Sequence, residues 1–141
     1  MDLIISRLTP RDADRAFAHC ALFWDMKTAT EDLAAYLSDP NCILLTAEIA
    51  GHPVGQILGY ILRRWDSGKP KLFLYSIDVV AAQRRKGIGR KLTNEFLRLG
   101  REAGCEGSFV ITNESNAPAM QFFRALGGNR PNPDDVIFEW I

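Results

Sequence analysis

Apolar and polar positions change period several times along the chain, and the changes divide it into elements. Leu3 to Leu8 is a short β-type run, after which Thr9-Pro10 supplies a helix N-cap followed by proline at the first helical position. Ala13, Ala16, Phe17 and Cys20 then recur at helical spacing and predict a first helix. Thr28 with Glu31 forms a capping-box pattern ahead of a second helix, in which Leu33 and Leu37 share one face and Asp39-Pro40 is the stop. Cys42 to Ile49, Val54 to Leu62 and Leu72 to Val80 are apolar, β-prone runs. The segments Ala50-Gly51-His52-Pro53 and Asp66-Ser67-Gly68-Lys69-Pro70 separate them, which predicts an antiparallel meander.

From Ile88 the period becomes helical again. Ile88, Leu92, Phe96, Leu99 and Ala103 form one stripe, Arg90, Lys91, Glu95, Arg98 and Arg101 the opposite face, and Gly104 the end. Ser108 to Thr112 reads as a strand, Asn116 to Leu126 as a helix stopped by Gly127-Gly128, and Val136 to Ile141 as a final strand. The class is α+β. With no repeat, low-complexity tract or linker-like stretch, residues 1–141 are expected to form a single domain.

Composition narrows the function classes. Lys plus Arg and Asp plus Glu number 17 each, so net charge gives no argument for nonspecific binding to nucleic acid or to an anionic membrane. Neither partner is expected. Met1 to Leu8 lacks the basic start and long apolar stretch of a signal peptide, and no apolar run is long enough to span a bilayer. Cys20, Cys42 and Cys105 are odd in number and show no metal-ligand spacing, so no metal is expected and a reduced, cytoplasmic setting fits.

The candidate chemistry starts in the segment Arg84-Arg85-Lys86-Gly87-Ile88-Gly89, between a strand and the N-terminus of the amphipathic helix. Backbone N–H groups there can converge on an anion, glycines let the backbone turn and approach closely, and three basic side chains add countercharge. Pyrophosphate suits such a site. An ordinary strand-to-helix turn with surface arginines would read the same way. Leu92 stands where a dinucleotide fingerprint needs its third glycine, and no P-loop is present.

These residues resemble the acyl-CoA-binding signature of the GNAT superfamily of N-acetyltransferases, Gln/Arg-x-x-Gly-x-Gly/Ala, filled by Arg84, Gly87 and Gly89 with Val79 at the expected distance before it. Asn116-x-x-Ala119-x-x-Phe122-Phe123-x-x-x-Gly127 is similar to the superfamily's second conserved region, and the order of elements matches over essentially the whole chain. The resemblance implies a central, mostly antiparallel twisted sheet of about six to seven strands flanked by about four helices. It implies acetyl-CoA as cofactor, held by Ile77, Val79, Val80, Arg84, Arg85, Lys86, Gly87, Ile88, Gly89, Arg90, Asn116, Ala119 and Phe123.

In that superfamily a neutral amine attacks the thioester directly, so the protein places the reactants, polarises the carbonyl, accepts a proton and releases thiolate. The resemblance makes the Val79 N–H the group that polarises the carbonyl. Phe123 stands where many members carry a general-acid tyrosine and cannot donate a proton; a thiol pKa of about 8.5 makes thiolate a tolerable leaving group without one. Phe122 and Phe123 otherwise read as core packing. Ser76 stands where a catalytic Glu or Asp is often found, and Asp78 shares its strand face under ideal alternation, so Asp78 is the first candidate base. A β-bulge would turn it away. Glu114 is the second candidate, with an exposed loop carboxylate as its other reading. His19 and His52 have no catalytic argument.

Tyr75 to Gly89, Asn116 to Gly127 and Asp134 to Trp140 are together similar to the short aminoglycoside 3-N-acetyltransferase branch of the superfamily. The resemblance implies an aminoglycoside or similar small-molecule polyamine as acceptor, with Asp25, Ser76, Asp78, Glu114, Asp135 and Glu139 as its candidate contacts. Independently of it, the acidic residues read either as counter-charges for a polycation or as solvated surface, and Trp24 and Trp140 either as an apolar wall beside a sugar-like acceptor or as core or dimer-interface residues. A protein or small metabolic amine as acceptor, a noncatalytic acyl-CoA-binding module and a purely structural domain stay open as alternatives. A homodimer through the last strand would cover Phe138, Trp140 and Ile141.

Overall fold

The computed structural model describes residues 2–141, Met1 lying outside the described residues. The chain forms two compact units, Met1–Ile111 and Thr112–Ile141. The first unit is built on one five-stranded sheet of β1 (Leu3–Arg7), β2 (Cys42–Ile49), β3 (His52–Leu62), β4 (Lys71–Val79) and β5 (Ser108–Val110), in that spatial order. The first three pairings are antiparallel; β2, β3 and β4 follow one another as a meander, while the chain between β1 and β2 carries two helices. β4 and β5 pair in parallel, and the crossover between them contains the amphipathic helix α3 (Ile88–Glu102).

The two sheet faces bury different helices. On one, α1 (Ala13–Ala21) and α2 (Thr30–Ser38) pack Ala13, Ala16, Cys20, Leu33 and Leu37 around Leu8 and Leu44, with Leu58 against this cluster. On the other, Ile88, Leu92 and Phe96 of α3 are buried over β3. Gly59 makes that approach possible: a Cβ there would lie 2.1 Å from Phe96 Cζ and 2.5 Å from the Phe73 carbonyl oxygen. Leu58 and Gly59 therefore face opposite helices, and by strand alternation Gln56 shares the α1/α2 face while Gly55 faces α3.

Local signals are realised with adjustments. Pro10 opens a 3₁₀ turn, Pro10–Asp12, in which the Thr9 N–H donates to Asp12 Oδ2 at 2.9 Å before α1 begins. The predicted capping box of Thr28 and Glu31 does not form, because α2 starts at Thr30 with Ala29 as its N-cap. Glu31 and Asp32 in the first turn supply the negative charge favoured at a helix N-terminus without a side-chain cap.

In the second unit, α4 (Ala117–Ala125) is capped by Asn116, whose Oδ1 accepts from the Ala119 N–H at 3.2 Å. The expected last strand, Val136 to Ile141, is not a strand, so the sheet has five strands rather than six to seven. A strand needs a neighbouring backbone to satisfy its N–H and C=O groups, and this unit contains no other strand among the described residues. Val136, Phe138 and Trp140 are exposed, Trp140 at 88%.

Candidate active site

β4 is paired on both sides only over its first half. β5 runs beside Leu72, Phe73 and Leu74 and ends at Val110, two residues short of its predicted end at Thr112. From Tyr75 to Val79 the edge of β4 away from β3 has no strand beside it among the described residues. The Val80 N–H donates to the Val54 carbonyl at 2.9 Å, so alternation turns the N–H groups of Ile77 and Val79 to the open edge. Val80 itself, expected among the cofactor contacts, has its N–H committed to the sheet. The Val79 N–H is thus an aligned donor at an open strand edge, which suits a carbonyl or an extended amide chain.

A bulge lies in β4: Leu58 faces Ser76 whereas Gly59 faces Leu74, leaving Tyr75 without a partner on β3. It does not turn Asp78 away. Asp78 is the register partner of Gln56, so both lie on the α1/α2 face together with Ser76, opposite Leu58. Ser76 and Asp78 are half-buried, and Asp78 Oδ2, Ser76 Oγ and both amide atoms of Gln56 have no hydrogen-bond partner among the described residues. Burial pushes the Asp78 carboxyl above its ordinary 3.8, and the nearby Trp24 and Gln56 side chains and the Arg84 charge only partly oppose the rise. Asp78 in turn adds to the burial that pushes the Cys20 thiol up to about 11. A half-buried carboxylate with a raised pKa and a free oxygen is equipped to accept a proton from an ammonium group.

The loop after β4 presents the other half of the site. A 3₁₀ turn, Ala81–Gln83, leads into Arg84, whose Nε donates to the Val79 carbonyl at 3.1 Å and so fastens the loop to the strand. Arg85 and Gly87 both adopt positive φ, +63° and +82°. The left-handed conformation at Gly87, which an L side chain resists, sets the start of α3. Lys91 N–H to Gly87 carbonyl, 3.0 Å, is the first bond of that helix, so the N–H groups of Ile88, Gly89 and Arg90 precede its ladder, with no side-chain cap at Gly87. Arg85, Lys86 and Arg90 are exposed around this end, and Lys86 Nζ reaches Gln83 Oε1 at 3.3 Å. The Ile88 side chain belongs to the core. Uncapped N–H groups at a positive helix end, ringed by cations and adjoining an open strand edge, fit a pyrophosphate carrying an amide-containing arm, which is the shape of acetyl-CoA.

The remaining predicted residues have contacts of their own. Asp25 is exposed and lies 3.8 Å from Lys27. In the second unit Glu114 is exposed and ion-paired to Arg130 at 3.3 Å, a contact that absorbs its charge locally. Asn116 and Ala119 form the α4 cap, and Phe123 is half-buried, edge-on to Phe122 with ring centroids 5.3 Å apart. Asp135 accepts from Asn132 Nδ2 at 2.7 Å, and Glu139 is exposed. Sequence reasoning missed Gln56 and Tyr75. Gln56 had a signal, a lone amide inside the apolar run Val54 to Leu62; Tyr75 had none, because its direction depends on the bulge.

Comparison with known proteins agrees with this geometry. The profile of the acetyltransferase (GNAT) family matches residues 11–127. A streptothricin acetyltransferase of Streptomyces lavendulae is 26% identical over 85 residues, which are 60% of this chain and 45% of that protein; the chain matches less than half of the relative's length. An aminoglycoside acetyltransferase from an uncultured soil metagenomic sample superposes with a TM-score of 0.88 at 24% identity, covering 100% of this chain and 98% of that one. The aminoglycoside acetyltransferase AAC(6')-Iy, in complex with a bisubstrate analogue, gives 0.85 at 20% identity over 100% and 99%. A ribosomal-protein-alanine N-acetyltransferase from Brucella melitensis biovar Abortus 2308 gives 0.76 at 19% identity over 98% and 100%. At these identities the structural likenesses establish the fold, while the profile covers most of the sequence: the chain belongs to the acetyltransferase (GNAT) family.

Proposed function

We propose that residues 1–141 act as a single acyltransferase domain that moves an acetyl group from acetyl-CoA to an amine of an aminoglycoside or similar polyamine, at the 3-N position. The observation that carries this reading is the placement of Asp78, half-buried with a free Oδ2, on the strand whose open edge leads into the Arg84 to Gly89 loop. Acetyl-CoA supplies the acetyl group as an activated thioester. The N–H groups of Ile88, Gly89 and Arg90, with Arg85 and Lys86, hold the pyrophosphate, and Ile77 and Val79 pair with the pantetheine arm.

The Val79 N–H polarises the thioester carbonyl while Asp78 takes the proton that the acceptor ammonium must lose to become a nucleophile. Ser76 orients the amine. For the second unit the reading rests on the family resemblance alone, with Glu114 as the second candidate base and Asn116, Ala119 and Phe123 as cofactor contacts. The neutral amine then forms the N–C bond as the C–S bond breaks; the nitrogen's second proton passes through solvent to the departing thiolate, which needs no protein acid because its conjugate thiol has a pKa of about 8.5. Asp25 gives the polycationic acceptor a counter-charge. We further place the protein in the cytoplasm as a homodimer in which the exposed Val136 to Ile141 segment gains the strand partner its own unit lacks.

The names of similar proteins favour a second position, since AAC(6')-Iy is a 6'-type enzyme by name. Incubating the protein with acetyl-CoA and kanamycin A and assigning the product by NMR tests both. Acetylation of N-3 is the expected result, acetylation of N-6' corrects the position, and recovery of unmodified kanamycin A overturns the aminoglycoside reading.

A further inference from the structure

The bulge in β4 has a second effect on the face that carries Asp78. Tyr60 pairs with Phe73 and Gln56 with Asp78, so an odd position and an even position of β4 face the same helices. The residue absorbed between them is Tyr75, and its ring lies with that group: 5.9 Å from Phe73, 6.0 Å from Tyr60 and 6.4 Å from Trp24, between centroids. Under unbroken alternation Tyr75 would share the opposite face with Ile77 and Val79. Tyr60 and Phe73 are half-buried beneath, and Tyr36 of α2 meets Tyr60 edge-on at 5.9 Å, which fixes the base of the array.

Tyr75 and Trp24 are its outer members, 53% and 44% exposed, with ring planes only 35° apart. They form a shallow apolar surface, with Tyr75 resting on Tyr60 and Phe73. One residue on from Tyr75 is Ser76 and three on is Asp78, both with unpartnered buried oxygens. Asp25, next to Trp24, is 86% exposed at its side chain and places a second carboxylate at the outer rim, with the solvated Lys27 ammonium 3.8 Å from it. An apolar plane with a buried carboxylate at one end and a solvated one at the other is complementary to a rigid ring bearing more than one ammonium group.

We propose that Tyr75 and Trp24 are specificity-determining residues: a saturated amino-substituted ring lays its C–H face on them while one of its ammonium groups reaches Asp78. Aromatic rings bind such faces through dispersion and through attraction between the ring quadrupole and the partly positive C–H and N–H groups. A flexible linear polyamine offers charge but no face, so the platform discriminates between the two classes. The inference rests on the acetyltransferase reading for its choice of acceptor, and its test reads binding rather than turnover so that the two fail separately.

Calorimetric titration of CoA-saturated protein with kanamycin A and with spermidine gives the ratio of their dissociation constants. Trp24→Ala and Tyr75→Ala should each reduce the preference for kanamycin A by about fivefold to tenfold, the scale of an exposed cation–π or stacking contact. Tyr75→Phe should retain the preference. Melting temperatures of the variants show that each is folded. A ratio within twofold of wild type in both alanine variants overturns the proposal, as does a wild type that prefers spermidine. Intact discrimination with no acetylation of either amine sustains the platform and sinks the acetyltransferase reading.

Discussion

Arg84 Nε donates to the Val79 carbonyl at 3.1 Å, joining the loop expected to hold pyrophosphate to the strand residue whose N–H faces the open edge of β4. One side chain thereby couples the two halves of the proposed cofactor site. It also occupies the Val79 carbonyl, whose negative dipole lies beside the Val79 donor.

Replacing Arg84 is therefore expected to do more than remove one charge. Arg84→Ala should raise the KM for acetyl-CoA about tenfold, the order of a lost charge-assisted hydrogen bond, and lower kcat as the end of β4 loosens. Arg84→Lys should not restore the wild-type value, because an ammonium cannot bond the carbonyl through Nε while presenting a fork to phosphate. Initial rates at varied acetyl-CoA check both.

As the proposed base, Asp78 should set the pH dependence. A base works when deprotonated, so kcat/KM should fall as pH drops through its pKa, and burial places that limb above the ordinary 3.8 of an aspartate. Gln56 works against the rise, so Gln56→Leu should move the limb to higher pH still. A pH–rate profile of wild type and Gln56→Leu distinguishes this from a purely structural Gln56, which would lower the rate without moving the limb.

The same group has a stability consequence of opposite sign to that of an ordinary paired carboxylate. Its folded pKa is raised, so the fold binds its proton more tightly than the unfolded chain does, and its ionisation disfavours the fold. The penalty should be absent below about pH 3.8, grow as pH rises towards the folded pKa, and be complete above it. Asp78→Asn should accordingly raise Tm at pH 7 while slowing turnover, with the gain in Tm vanishing in acid. Thermal melts across pH give the comparison.

Gly59 is the tightest backbone contact between β3 and α3. A Cβ at 2.5 Å from the Phe73 carbonyl oxygen meets backbone, which cannot rotate away, and Phe96 at 2.1 Å is fully buried. Gly59→Ala should destabilise by about 3 kcal/mol, the upper range for overpacking, as read from urea unfolding.

These relationships differ in how far they can be read from residue order. The meander, the long helix at Ile88 and the loop before it are legible because each rests on a local period or on glycine and proline chemistry. The face of Asp78 is legible in part, since alternation from Ser76 points the right way. The bulge that adds Tyr75 to that face is not, because it is a feature of the register between β3 and β4 rather than of either strand's own residues. Thr28 and Glu31 have the residues of a capping box but not its geometry, α2 beginning two residues later. Val136 to Ile141 has strand composition without a strand to pair with, and composition alone cannot supply one.

The central claim is acetyl transfer to an amine with Asp78 as base, and the most direct measurement is acceptor-dependent release of CoA thiol by wild type and Asp78→Asn at neutral pH. The account predicts release with acetyl-CoA and kanamycin A in the wild type, and a loss of at least about a hundredfold in the variant, the usual contribution of a positioned base. Equal rates in the two proteins would contradict the assignment of Asp78, and no release by wild type with any amine, despite bound acetyl-CoA, would contradict the enzyme itself.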